Sequence, residues 1–325
     1  MKIWVTGRIP EEVVSLLRQG HEVEVSVEDR PMDRQRLLAS IGDREGLLSM
    51  ITDRLDQELL DRAPCLKMIA NCAVGYDNID LQAASARGIP VSNTPGVLTE
   101  ATADLAFALI LATARRVVEG DRRTRTGQFK FFAPFLFLGT EVNGKTLGIV
   151  GLGRIGKAVA RRARGFDMRV VYHDSRRIEA SEEKALDVQY SDLKALLSEA
   201  DFISLHVPLS PETRHLIGPQ ELRSMKSTAY LINTSRGPVV DEAALVEALR
   251  EKRISGAGLD VYEHEPALAP GLTELENVVL LPHVGSATVE TRTNMARLAA
   301  ENLLAGLRGE KPPNCLNWDA ITKPK

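Results

Sequence analysis

Apolar positions follow two rhythms along this chain, short buried-looking runs alternating with longer stretches of helical spacing. Up to residue 92 the runs predict strands at 2–5, 23–27, 46–50, 68–70 and 90–92, with helices over 11–18, 32–40, 56–62 and 81–87. Such alternation predicts a parallel sheet covered on both faces. A turn, Asn93-Thr94-Pro95-Gly96, then leads into a long helical pattern over 100–119, which suits a crossover between domains. From 146 the alternation resumes, with strands expected at 147–150, 168–172, 202–205, 229–233, 256–261 and 278–281, and a helix over 157–164. A last long helix over 289–306 is broken near Gly309, Pro312 and Pro313 and is expected to return the chain to the first domain. The fold class is therefore α/β, two Rossmann-like or flavodoxin-like domains with parallel sheets. One domain is discontinuous, 1–98 plus 288–325, and the other spans 99–287.

Composition narrows the partners. The 325 residues are 44% hydrophobic with a net charge of −3, ample for two cores and without the basic excess that points to nucleic acid or an anionic membrane. Arg122, Arg123 and Arg125 read as a solvated cluster. The N-terminal MKIWVTG has too short an apolar run for a signal peptide, and 105–112, bracketed by Asp104 and Arg115, is too short to span a bilayer. Cys65, Cys72 and Cys315 show neither metal-ligand spacing nor a disulfide framework. A cytoplasmic protein is expected, without metal, membrane or nucleic-acid partners.

Thr146 to Gly156 reads TLGIVGLGRIG, a strand, a G-x-G-x-x-G turn and a helix start. That order is the fingerprint for a dinucleotide pyrophosphate. Gly151 permits the tight turn, Gly153 lets backbone N–H groups approach the phosphates, and Gly156 allows the helix close to the strand. The following strand ends at Asp174, where a ribose-binding acid is expected. Thr6-Gly7-Arg8-Ile9-Pro10 after the first strand lacks the motif, so the first domain is not expected to hold the dinucleotide. Its loop over 71–80 does present backbone N–H groups at Val74 and Gly75 that suit a carboxylate. A helix N-cap at Asp77 or Asn78 is the blander reading, and both can hold together.

Three side chains just past strand ends of the second domain are chemically competent: Arg236, Glu265 and His283. An arginine suits bidentate capture of a carboxylate, a histidine can move a proton near neutral pH, and a carboxylate can orient the imidazole. Together they describe carbonyl reduction beside a nicotinamide. Spacing does not decide between Glu265 and Glu263, and His206 at another strand end rivals His283. His21, His173, His215 and His264 are placed at strand edges or in loops. Phe129, Phe131, Phe132, Phe135 and Phe137 can be core, active-site wall or a dimer contact, with burial against a partner subunit preferred.

With these motifs in order, 73–80, 151–156, 233–241, 258–260 with Glu265-Pro266, and 282–286, the chain resembles the D-isomer-specific 2-hydroxyacid dehydrogenases, nearest the glyoxylate/hydroxypyruvate reductase branch. The resemblance implies that Arg236 binds substrate carboxylate and carbonyl, His283 is the acid/base and Glu265 its partner, in an active site in the interdomain cleft. It makes 1–98 plus 288–325 the substrate-binding (catalytic) domain and 99–287 the dinucleotide-binding one. Val74 and Gly75 correspond to the substrate-carboxylate loop. Thr102, Gly151, Gly153, Arg154, Ile155, Gly156, Asp174, His206, Val207, Pro208, Thr213, Thr234, Asp260 and Gly285 match cofactor-side positions, with Asp260 facing the nicotinamide amide. A homodimer without metal is implied. Phosphite dehydrogenases carry a lysine where Val74 stands, and formate dehydrogenases a glutamine in the role of Glu265, which argues against both substrates. Asp174 favours NAD(H), while Arg176 and Arg177 directly after it keep NADP(H) possible. The expected reaction is reversible reduction of glyoxylate or hydroxypyruvate to the D-2-hydroxy acid. A 3-phosphoglycerate dehydrogenase-like enzyme and a dinucleotide-sensing corepressor-type binding protein are the alternatives.

Overall fold

Twelve strands, all parallel to their neighbours, form two separate sheets in the computed structural model, which describes residues 1–28 and 30–322. The chain divides into two units, Met1–Leu98 with the residues from Ser286 onward, and Thr99–Gly285.

In the first unit the strands are β1 (Lys2–Val5), β2 (Glu22–Val25), β3 (Gly46–Ser49), β4 (Met68–Asn71) and β5 (Val91–Ser92), ordered β2-β1-β3-β4-β5. Successive residues feed opposite faces, as a strand's period of two requires. Trp4, Leu47, Ile69 and Val91 enter one core, while Ile3, Val5, Leu48, Met68 and Ala70 enter the other. The helix Val289–Leu307 covers that second face with Ala296, Ala299, Ala300, Leu303 and Leu307. Beyond it, Asn317 docks the chain on β5: its Oδ1 accepts from Val91 N–H at 2.8 Å and its Nδ2 donates to Ile89 C=O at 2.9 Å.

The second unit contains β6 (Thr146–Val150), β7 (Arg169–His173), β8 (Val188–Tyr190), β9 (Phe202–Leu205), β10 (Tyr230–Asn233), β11 (Gly256–Leu259) and β12 (Val278–Leu280), ordered β12-β11-β10-β9-β6-β7-β8. From β6 the chain winds outward through β7 and β8, then crosses to β9 on the other side. The C-terminal ends of β6 and β9 therefore flank the switch point where open α/β sheets bind ligands. Both faces are again covered. Leu147, Ile149, Tyr172 and Phe202 pack with the helix Thr99–Ala114, and Val150, Val171, Ile203 and Leu231 pack on the opposite side.

Two sequence expectations are corrected. The sheet has seven strands rather than six, the addition being β8. With three residues, of which only Val188 is buried, it has too little apolar pattern to stand out. The helix expected over 100–119 is two helices, Thr99–Ala114 and Val117–Arg125. Arg116 between them takes a left-handed φ of 55°, and Ala114 C=O accepts from Thr140 N–H instead of continuing the helix. Val117 and Val118 carried the apolar spacing onward, yet both are exposed. Among the described residues no helix is long and apolar enough to cross a membrane.

Asn317→Leu should lower stability by about 1–3 kcal/mol, because it strands a buried N–H and a C=O of the β5 edge. The urea midpoint of the purified variant checks this, and an unchanged midpoint would refute the docking role.

Candidate active site

The glycine turn after β6 is built by contact. Gly151 has φ +94°, and a Cβ there would sit 2.8 Å from the His206 carbonyl carbon and from Val207 N. No other residue fits both the turn and the approach to the β9 loop. Gly151 N–H donates to His173 C=O at 2.8 Å, so the ends of β6, β7 and β9 are drawn together. Gly156 lies against the Gly151 carbonyl and seats the helix Arg154–Ala163 on the turn. Beside Gly153 lies open space, and the helix start has no side-chain cap among the described residues. Its leading N–H groups, Arg154 and Ile155 among them, are available to an anion. Asp174 stands opposite, with Oδ2 accepting from Leu152 N–H at 2.7 Å and Oδ1 from Arg176 N–H at 3.3 Å. An open cradle, an uncapped helix start and a carboxylate at the next strand end fit a dinucleotide.

The loop after β9 holds its own shape. Thr213 donates its hydroxyl to Pro208 C=O at 2.6 Å and accepts from Ser210 N–H at 2.8 Å. His206 is half-buried with Nε2 2.8 Å from Ser204 Oγ, and burial pulls its pKa down to about 3. A ring kept neutral at physiological pH carries no extra proton to deliver. Val207 is half-buried and Pro208 exposed in the same loop. Thr234 is buried with its hydroxyl unpartnered among the described residues, and Thr102 packs beside Gly285.

Arg236, Glu265 and His283 do come together, on the loops after β10, β11 and β12. Asn233 buckles the first loop: its Oδ1 accepts from Ser235 N–H and Oγ at 3.0 and 2.8 Å, and its Nδ2 donates to Arg236 C=O at 2.9 Å. At Gly237 a Cβ would lie 1.8 Å from the Tyr262 carbonyl carbon, so the β10 and β11 loops touch backbone to backbone. Glu265 Oε1 accepts from Tyr262 N–H at 3.0 Å, leaving Oε2 for His283 Nδ1 at 2.8 Å. Burial works to raise the Glu265 carboxyl, but the His283 hydrogen bond and charge, the Tyr262 N–H and the Arg236 charge hold it below its ordinary value. His283 has a left-handed φ of 54°. Asp260, 1% exposed, fixes that conformation by accepting from Val284 and Gly285 N–H at 2.7 Å each, while its C=O accepts from His283 N–H at 2.9 Å. The choice that spacing left open is thereby made: Glu265 pairs with His283, whereas Glu263 pairs with His215 at 2.6 Å.

In the first unit the 73–76 loop is pinned by its carbonyls. Ala73 C=O accepts from Thr94 N–H at 2.8 Å, Val74 C=O from Asn93 Nδ2 at 2.7 Å and Gly75 C=O from Asn71 Nδ2 at 2.9 Å. The Val74 and Gly75 N–H groups donate to nothing among the described residues. The following helix is capped by Asp80, whose Oδ1 accepts from Ala83 N–H at 2.8 Å, and not by Asp77 or Asn78. Asn78 instead donates to Met50 and Asp53 carbonyls at 3.2 and 2.9 Å. Sequence reasoning read Asn78 as a cap candidate and missed Asn71, Asn93 and Asn233 as supports, although asparagine at a strand end is itself a turn-forming signal.

Sheet order, glycine turn and the histidine–carboxylate–arginine group define a dinucleotide-dependent oxidoreductase. Residues 107–285 match the model of the D-isomer specific 2-hydroxyacid dehydrogenase NAD binding domain. The chain is 52% identical over 326 aligned residues to the glyoxylate reductase of Thermococcus litoralis, covering 99% of this chain and 98% of that one. A crystal structure of a Thermus thermophilus protein superposes with a TM-score of 0.90 at 48% identity, covering 97% of this chain and 100% of the other. An NADPH-dependent glyoxylate/hydroxypyruvate reductase from Sinorhizobium meliloti, solved with NADP and malonate, gives a TM-score of 0.88 at 35% identity over 100% of this chain and 99% of its own. The chain belongs to the D-isomer specific 2-hydroxyacid dehydrogenases, oxidoreductases that act on CH–OH groups with a nicotinamide dinucleotide as cofactor.

Gly237→Ala should drive a methyl group into the Tyr262–Glu263 peptide and separate Arg236 from Glu265. We expect kcat/KM to fall about 100-fold or more, since misplacement on the order of 1 Å is enough for that. Steady-state kinetics together with a thermal melt check it; wild-type kcat/KM would refute the backbone contact.

Proposed function

We propose that this protein reduces glyoxylate, and hydroxypyruvate as a related substrate, reversibly to the D-2-hydroxy acid. The observation that carries the reading is the 2.8 Å pairing of His283 Nδ1 with Glu265 within the electrostatic reach of Arg236. Bound nicotinamide supplies or takes up the hydride at the keto carbon. Arg236 holds the substrate carboxylate and polarises the carbonyl, and the Val74 and Gly75 N–H groups bind the carboxylate. His283 Nε2 gives the carbonyl oxygen its proton in reduction and recovers it in oxidation, while Glu265 fixes Nδ1 and stabilises the imidazolium. Thr102, Arg154, Ile155, His206, Val207, Pro208, Thr213, Thr234, Asp260 and Gly285 line the cofactor side with the three glycines of the turn. Identity of about half the residues to a glyoxylate reductase over the full chain disfavours the phosphoglycerate and corepressor readings.

NAD(H) is the preferred cofactor in this reading. Asp174 suits the 2′- and 3′-hydroxyls of the ribose and repels a 2′-phosphate. Arg176 is exposed and leaves some NADP(H) use open, whereas Arg177 is tied to Glu183. We further assign a homodimer, supported by Phe132 and Phe135, 84% and 88% exposed, in an apolar segment that also includes Phe129, Phe131, Leu136 and Leu138. Three free cysteines suit a reducing, cytoplasmic setting.

NADH oxidation with glyoxylate should be rapid in the wild type, and His283→Gln should lower kcat about 10²–10⁴-fold. Arg236→Ala should act mainly on KM. Glu265→Gln removes the charge that fixes His283 Nδ1 and should lower kcat more than it changes KM, read by steady-state kinetics. Near-normal turnover in His283→Gln sinks the acid/base assignment, and turnover with NADPH alone sinks the cofactor preference. A Phe132→Asp/Phe135→Asp double variant should halve the mass seen by light scattering; an unchanged mass would remove that segment from the dimer contact.

A further inference from the structure

Arg177 follows Asp174 by three positions and on charge alone belongs to a 2′-phosphate site. Its position says otherwise. Nε and Nη2 donate to Glu183 Oε1 and Oε2, each at 2.8 Å, a fork-to-fork pairing that uses both carboxylate oxygens. Glu183 is anchored in turn by the Tyr172 hydroxyl, which donates to Oε1 at 2.7 Å and accepts from Ile178 N–H at 3.1 Å. The guanidinium lies 5.6 Å from the centre of the Tyr190 ring. Tyr190 ends β8, on the side of β7 away from β6 and its glycine turn. Arg177 is thus drawn outward along the sheet edge, opposite to the direction in which Asp174 meets Leu152.

We propose that Glu183 is a cofactor-specificity determinant that acts as a positioning residue: it withholds Arg177 from the ribose 2′ position and leaves that position to Asp174. This deepens the NAD(H) reading above and rests on it. The Arg177 hydrogen bonds, with the Tyr172 hydroxyl second, hold the Glu183 carboxyl down at about 2, so the pair persists across the working pH range. Its strength is limited by exposure, 61% for the arginine side chain against 11% for the glutamate. Release should therefore shift cofactor affinity several-fold, not by orders of magnitude.

Calorimetric Kd values for NAD+, NADP+ and adenosine 2′,5′-bisphosphate test this on the full chain. Glu183→Gln keeps the shape and a partner for Tyr172 but discharges the anchor. It should tighten NADP+ and the bisphosphate about fivefold relative to NAD+. Adding Arg177→Met should abolish the gain. Arg177→Met alone should leave NADP+ affinity at the wild-type value, because that guanidinium is already withheld, and this arm stands even where Glu183→Gln fails to fold. An unchanged NADP+/NAD+ ratio in folded Glu183→Gln, a gain that survives Arg177→Met, or a loss of NADP+ affinity in Arg177→Met alone would each overturn the proposal. Wild-type preference for NADP+ would instead overturn the underlying NAD(H) reading, and the Glu183→Gln comparison would still report on the restraint.

Discussion

Asp260 has a carboxylate whose two oxygens are both spent on backbone, one on Val284 N–H and one on Gly285 N–H. Because its own carbonyl also accepts from His283 N–H, one buried residue at the end of β11 dictates the path of the chain leaving β12. A non-glycine residue with positive φ costs on the order of 1–2 kcal/mol. The three hydrogen bonds offset that cost at His283, where the ring's direction matters most. Burial pushes the Asp260 carboxyl up, and the Val284 N–H and the His283 charge pull against it without fully cancelling the rise. The acid that shapes the loop therefore also senses the charge on the imidazole that the loop presents.

The neighbouring loops meet the same constraint in another way. Where Asp260 joins β11 to β12 by hydrogen bonds, Gly237 joins β10 to β11 by the absence of a side chain. Glu265 sits between the two devices, tied to Tyr262 N–H on one side and His283 on the other. Its pKa follows from this position: desolvation raises it, and the His283 hydrogen bond and charge, the Tyr262 N–H and the Arg236 charge together outweigh desolvation. The contacts that fix the carboxylate's position are the same ones that lower its pKa.

What was legible in the sequence and what was not divide along the same line. The strand–glycine–helix run at 146–156 is a contiguous signal, and the structure places its glycines as the spacing implies. Arg236, Glu265 and His283 could be nominated because each stands just past an apolar run. Their partners could not be assigned, since Glu263 and Glu265 differ only in which way a loop turns, and only the Tyr262 N–H contact settles it. Similarly, the apolar spacing through Val117 and Val118 continued a helix that a left-handed Arg116 ends. β8 was too short to register against its surroundings. The sequence leaves Arg177 open, with Arg176, as a ligand for a 2′-phosphate, because its partner Glu183 lies in the next helix and nothing local marks the pairing.

Sheet order explains how one edge comes to carry both the glycine turn and the Glu265–His283 pair. Chain order runs β6, β7, β8, β9, but spatial order runs β7, β6, β9, β10, β11, β12. Along that row the C-terminal ends carry Asp174, the glycine turn, the His206–Pro208 loop, Thr234 to Arg236, Asp260 and His283 in succession. With about 4.8 Å between adjacent strands, the row extends about 24 Å, long enough for an extended dinucleotide with a small acid beyond it. The crossover from β8 to β9 makes this possible. Had β9 added beside β8, the glycine turn would lie at an edge, and four strands instead of two would separate it from the β11 loop that carries Glu265. The proposed division of labour, ribose at one end and proton transfer at the other, is thus a consequence of winding the sheet outward twice from β6.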